Sequence, residues 1–270
     1  MQMKKKNVKH VLGVLLISIF IILSTTVYAA DDIIVILDPG HGGGDNGASA
    51  GGIIEKNVNW KIATRVKEIL DNTAGITGIL TRGEWDNPSL YERGLLAKNS
   101  GADLLVSFHI NASTSSSASG AETYITANTN SPRFYEASKT LGESVLENLR
   151  GVGVATRIYR PILRPSTDGE LYSDGFLSDY YGIIRNPMYY GIPGVLIEHC
   201  YISNSYDRSN YLNDSKINQM AEADARAIID NKELFRINRE NNSVNSQITH
   251  LNVNEARNTF NRWNYSGWLD

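Results

Sequence analysis

The sequence predicts an α/β fold in which a largely parallel sheet is covered by helices, and two observations carry that expectation. From Asp31 onward, short apolar runs rich in β-branched residues alternate with stretches whose apolar residues recur at helical spacing, the pattern of successive strand and helix units. The imidazole and acidic residues that stand out fall where the apolar runs end. In an open parallel sheet those ends share one edge.

The elements follow in order. Residues 33–37 form the first strand. Val58, Ile62, Val66, Ile69 and Leu70 then mark an amphipathic helix stopped by Asn72 and Gly75, and residues 76–81 read as the second strand. Ser89 followed by Glu92 is a capping box that starts a helix carrying Leu90, Leu96 and Ala97 as far as Asn99-Ser100-Gly101. Residues 104–108 are the third strand. A serine-rich loop at 113–119 leads to a fourth strand at 122–126. Ser131-Pro132 caps a long helix with Phe134, Ser138, Leu141, Val145 and Leu149 on one face. Residues 154–194 are irregular and rich in Tyr, Pro, Gly and Arg, with one short strand expected near Ile183-Ile184; so long an irregular stretch inside a domain reads as a functional loop. Residues 195–197 are a final buried strand, and Ile217, Met220, Ala221, Ala227 and Ile228 belong to a closing helix ending near Asn231.

With 270 residues, 41% hydrophobic and 20% charged, the chain can build one domain with a sizeable core and is excluded from the collagen-like, wholly disordered and multi-span membrane classes. At its start, Lys4, Lys5, Lys6 and Lys9 precede an apolar run from Val11 to Leu23 and then Val27-Tyr28-Ala29. That is the pattern of a cleavable signal peptide cut after Ala29, because the run is shorter than the roughly 20 apolar residues of a membrane span. The predicted division is a signal peptide at 1–29, a folded domain at 31–232 and a polar tail at 233–270. In the tail, Val253, Ala256, Phe260 and Trp263 sit at helical spacing. Cys200 is the one cysteine and can form no internal disulfide, so an exported fold must rely on its core or on a metal. The formal charge is −3, and residues 1–29 hold four lysines and no acid, which leaves −7 for the rest. So acidic a chain is a poor match for nucleic acid.

The chemistry gathers at the predicted strand ends. His41 follows the first strand in Asp38-Pro39-Gly40-His41-Gly42-Gly43, His109 ends the third in Ser107-Phe108-His109-Ile110-Asn111, and Glu198 ends the last in Val195-Leu196-Ile197-Glu198. Glu55, between the glycine-rich loop and the first helix, is placed on the same edge. Two imidazoles and one carboxylate leave a coordination position of Zn²⁺ open, the arrangement of a catalytic site. His41, Glu55 and His109 fit that count, and Glu198 is then left to carry protons. The tyrosine-rich segment with Tyr180, Tyr181 and Arg185, together with Asn111, is expected to line a substrate groove, the arginine pairing with a carboxylate.

These blocks resemble the zinc-dependent N-acetylmuramoyl-L-alanine amidases of bacterial cell walls. The resemblance rests on residues 36–43, on Glu55-Lys56, on Leu80-Thr81-Arg82, on Ala102-Asp103-Leu104 with residues 107–112, on Gly120-Ala121-Glu122-Thr123, and on residues 195–198 with Ile202-Ser203-Asn204. It implies a three-layer α/β/α sandwich around a mostly parallel, about six-stranded sheet. It also implies one zinc ion at the positions matching His41, Glu55 and His109, and a catalytic glutamate at Glu198. The expected activity is hydrolysis of the amide joining N-acetylmuramic acid to L-alanine in peptidoglycan, by a secreted, wall-associated, monomeric enzyme that uses no nucleotide cofactor. One departure stands out: family members carry a small or apolar residue after the catalytic glutamate, whereas here His199-Cys200 follow. Strand alternation turns His199 to the face opposite Glu198.

Three rivals compete with this reading. Gly42, Gly44 and Gly47 spell the dinucleotide pattern G-x-G-x-x-G, but the loop does not open directly into a helix. A catalytically dead wall-binding module would not need all four key residues. A zinc carboxypeptidase acting on the stem peptide would release D-alanine rather than expose amino groups on intact stems.

Overall fold

The computed structural model describes residues 32–245. The expected signal peptide and the apolar residues of the tail from Val253 to Trp263 lie outside them. The strands are β1 (Ile33–Pro39), β2 (Ser49–Ala50), β3 (Ile53–Ile54), β4 (Ile76–Leu80), β5 (Leu104–Asn111), β6 (Glu122–Ile125), β7 (Ile162–Leu163) and β8 (Gly194–Tyr201). The helices are α1 (Glu55–Asp71), α2 (Leu90–Asn99), α3 (Pro132–Gly151), α4 (Gly182–Met188), α5 (Ser205–Tyr211) and α6 (Asp214–Asn245).

Six strands form one sheet in the order β4-β1-β5-β8-β6-β7. All neighbours run parallel except β6 and β8. This is the mostly parallel sheet that the resemblance implied, with helices on both faces. The carboxyl ends of β1, β4, β5 and β8 share one edge, and because β6 is reversed its first residue, Glu122, lies on that edge directly opposite Glu198.

The two faces of the sheet are unequal. One carries the large core, where Leu37, Val106, Phe108 and Ile197 meet Ile62 and Val66 of α1, Leu141 and Val145 of α3, and Met220 and Phe235 of α6. The other carries a smaller cluster of Ile36, Leu105 and Leu196 with Ile183 and Ile184 of α4, against which Tyr124 and Tyr181 pack. Alternation along each strand distributes its side chains between the two.

Local signals explain most boundaries. Ser89 and Glu92 form the complete capping box at the start of α2. Pro132 opens α3, although the Ser131 side chain makes no cap hydrogen bond; its carbonyl instead accepts from the backbone N–H groups of Phe134 and Tyr135.

Three expectations need correction. The short strand near Ile183-Ile184 is the helix α4, in which both isoleucines are buried against the sheet; the sixth strand is β7 instead. Between the glycine-rich loop and α1 lies a hairpin, β2 with β3. The closing helix does not stop near Asn231, so the boundary drawn at 232/233 falls inside α6. No glycine or proline interrupts Lys232-Glu233-Leu234-Phe235-Arg236, Phe235 is fully buried in the large core, and the Lys232 ammonium donates to the Ala74 carbonyl. Among the described residues, no helix is long and apolar enough to cross a membrane.

Candidate functional site

Two buried arginines build the loop that carries His41. The Arg93 guanidinium pairs with Asp38 at 2.7 Å and donates to the carbonyls of Pro39 and His41. Arg82 donates to the carbonyls of Pro39, Gly40 and Lys56. Asp38 also accepts from the hydroxyls of Thr81 and Ser107, both at 2.6 Å. Burial disfavours the Asp38 charge, but the Arg93 cation and these donors outweigh it and hold the carboxyl below the usual carboxylate range. This framework keeps His41 at a φ of 61°, a left-handed conformation that costs a non-glycine residue roughly 1–2 kcal/mol.

The backbone so held brings three donors together. Glu55 Oε1 lies 3.2 Å from His41 Nε2 and 3.0 Å from His109 Nδ1. The ligand atoms of the three residues are all within 4.8 Å of one another. Two of the three are oriented from behind: His41 Nδ1 by Asp45 at 2.8 Å, Glu55 Oε2 by the Ala48 N–H at 2.8 Å, and Glu55 Oε1 by the Ile110 N–H at 3.1 Å. Such outer partners fix ring tautomer and carboxylate direction.

Glycine makes the approach possible. A Cβ on Gly40 would sit 2.1 Å from the His109 ring, and one on Gly47 would sit 2.5 Å from Glu55 and 2.6 Å from His41. The loop glycines therefore serve the close approach of these three side chains.

The cluster calls for a cation. Burial works against the Glu55 charge, yet hydrogen bonds from His109 and His41 hold its carboxyl far below the normal range. Burial likewise works against a charged His41, but Glu55 and then Asp45 push it up to about 9. Glu55 thus holds a proton on His41, and a divalent cation would replace it. Donor set, spacing and cradle all fit a metal ion.

Glu198 stands beside this group, in register with His109 across β5 and β8. It is 9% exposed, and its Oε2 is buried without a hydrogen-bond partner. Burial, then the charges of Glu55 and Glu122, raise its proton affinity well above that of a free carboxyl.

The neighbouring His199 has the opposite surroundings. It points into the large core, fully buried, with Nδ1 3.0 Å from the His109 carbonyl and Nε2 2.8 Å from Asp224 of α6. The strand alternation read from the sequence holds here.

Three of the six residues singled out in the sequence thus meet at one point, and Glu198 lies in register beside them. Asn111 borders them: its amide donates to Glu122 at 3.1 Å, and its Oδ1 accepts from the Ala112 N–H. Arg185 is committed elsewhere, donating to the Asp179 carbonyl at 3.0 Å and pairing with Glu170 at 3.3 Å.

Sequence reasoning gave no role to Glu122, which accepts from Asn111, Tyr124 and Tyr201 and pairs with Arg157 at 3.0 Å. An acid opening an otherwise apolar strand was the available signal. Asp45, four residues after His41, was also passed over.

The profile of a family described as N-acetylmuramoyl-L-alanine amidase matches residues 35–230. The endolysin of Bacillus phage SPP1 is 33% identical over 71% of this chain and 63% of its own length. The N-acetylmuramoyl-L-alanine amidase LytC of Bacillus subtilis is 35% identical over 64% of this chain and 30% of its own. The chain therefore spans less than two thirds of these relatives. Among solved structures, the catalytic domain of the amidase CwlV from Bacillus (Paenibacillus) polymyxa var. colistinus superposes with a TM-score of 0.60 at 25% identity, over 75% of this chain and 99% of that one.

Proposed function

The chain belongs to the N-acetylmuramoyl-L-alanine amidase family, and from that premise we propose that it is an exported zinc enzyme hydrolysing the amide between the glycan and the peptide stem of peptidoglycan. The observation that carries this reading is the cluster of His41, Glu55 and His109, with ligand atoms within 4.8 Å of one another, beside the unpartnered buried oxygen of Glu198.

His41, Glu55 and His109 would hold one Zn²⁺. When bound, the ion would supply Lewis-acid polarisation of the amide carbonyl and bring the pKa of water towards neutrality. The remaining chemistry belongs to the chain. Glu198 Oε2, with no donor of its own to satisfy it, accepts a proton from the attacking water. That carboxyl can hold the proton until the C–N bond breaks, and then release it to the departing nitrogen. Asn111, fixed by Glu122 at the rim, is positioned to orient the substrate. Export by residues 1–29 and a catalytic unit beginning at residue 31 complete the reading.

The test is product analysis on purified peptidoglycan. New amino groups on intact stems are expected, together with about one zinc per chain and loss of activity on chelation. Released D-alanine would point to a peptidase instead, and zinc-independent turnover would contradict the assignment.

A further inference from the structure

Beside Glu198, tyrosines lead from Glu122 to an exposed arginine. The Tyr124 hydroxyl donates to Glu122 at 3.1 Å, and Glu122 lies opposite Glu198. The Tyr124 ring meets the Tyr181 ring edge to face at 4.9 Å. Both tyrosine hydroxyls lie within the field of Glu198. At the far end, Arg164 rests its guanidinium 3.8 Å above the Tyr180 ring and 5.3 Å from that of Tyr181, and donates from Nη1 to the Tyr181 hydroxyl at 2.9 Å. Its backbone is pinned as well, because the Arg164 carbonyl accepts from the Tyr180 N–H at 2.8 Å.

Nearby guanidinium groups are already neutralised, Arg157 by Glu122 and Arg185 by Glu170. Arg164 is exposed, and none of the described residues gives it a carboxylate partner. The tyrosine hydroxyl uses one of five guanidinium N–H groups and cancels no charge. An arginine stacked on aromatic rings is already ordered and weakly hydrated, so it loses little on gripping a carboxylate with two parallel hydrogen bonds. The ring and guanidinium spacings put Arg164 at most about 10 Å from Tyr124, the reach of roughly three extended residues.

We propose that Arg164, on the platform of Tyr180 and Tyr181, binds a carboxylate of an acidic peptide stem. The proposal rests on the amidase reading and names the part of the substrate that the cleft selects.

The experiment compares two muramyl-peptide fragments of one sequence, with the stem carboxylates free in one and converted to carboxamides in the other. The purified wild type is expected to favour the free acid by roughly 10-fold to 100-fold in kcat/KM, the usual worth of hydrogen bonds to a charged group. The difference should fall in KM, since the contact is made equally in ground and transition states. In Arg164→Gln the preference should collapse towards one. Arg164→Lys, a point charge without the planar fork, should retain part of it; thermal melting of both variants confirms that they are folded. If the wild type treats the two fragments alike, or if Arg164→Gln keeps the wild-type ratio, the subsite is wrong. The wild-type comparison decides even if the glutamine variant does not fold. Cleavage of neither fragment by the wild type would remove the amidase reading itself, and the subsite with it.

Discussion

Glu198 and His199 are adjacent in one strand and face opposite sides of the sheet, and the contrast between those sides explains how this molecule divides its work. On the thick side, under α1, α3 and α6, His199 is fully buried and both ring nitrogens have partners, in the His109 carbonyl and Asp224. On the thin side, under α2 and α4, Glu198 is buried with an oxygen that has none. A buried polar atom left unsatisfied costs free energy; on the thick side Asp224 Oδ1 is such an atom behind the satisfied imidazole, and on the thin side Glu198 Oε2 is one beside the three-residue cluster.

Variants can break or sharpen that contrast. The largest effect is expected for His109→Ala, which removes a donor from the three-residue cluster. Bound zinc, read by elemental analysis, and turnover should vanish together, while circular dichroism stays that of a folded protein. Stoichiometric zinc in this variant would exclude the ligand assignment.

Next comes Arg93→Met, which leaves Asp38 charged and uncompensated in the interior. Removing one partner of a buried pair typically costs about 3–5 kcal/mol, measurable by urea unfolding. The sign with pH follows from the lowered Asp38 pKa. The contribution of the pair is present above the unfolded carboxyl value near 4 and is lost as pH falls through the lower folded value. The gap between wild type and Arg93→Met should therefore narrow in acid; a gap that widens there would contradict the pairing.

Asp224→Asn should be milder, roughly 1–3 kcal/mol for a weakened buried contact, with zinc retained and kcat within a few-fold of wild type. Loss of turnover without loss of stability would mean that the thick side takes part in the chemistry. The smallest effect belongs to Ser89→Ala, which removes the capping box of α2 and should cost about 1 kcal/mol without touching kinetics.

The sequence was most legible where backbone periodicity places the chemistry. His41, His109 and Glu198 sit at or beyond the ends of apolar runs, and a parallel sheet gathers such positions whatever the loops do. Glu55 could be read because a helix had to begin beside it. The capping box at Ser89 and Glu92 is likewise a local signal with a local cause.

Legibility failed where side-chain contacts between distant segments decide the structure. Residues 154–194 are held by Asp179, whose carboxylate accepts from Thr126, the Ala127 N–H and Tyr172. Nothing in the local pattern announces those partners, so α4 read as a strand, the two-residue β7 was invisible, and the pairing of Arg185 with Glu170 could not be foreseen. Glu122 escaped for the same reason, as its partners come from β5, β8 and the segment before β7. The extension of α6 was missed because Phe235 was counted with a polar tail although it belongs to the large core.

The most direct test of the whole account is turnover of purified peptidoglycan by Glu198→Gln, measured as new amino groups released by protein whose zinc content has been verified. Glutamine nearly matches the shape of glutamate but cannot carry the proton. The account predicts a folded protein with its zinc in place and kcat lower by roughly 100-fold or more. Turnover close to the wild-type rate with zinc bound would contradict it, and loss of zinc would make Glu198 a ligand rather than the proton carrier.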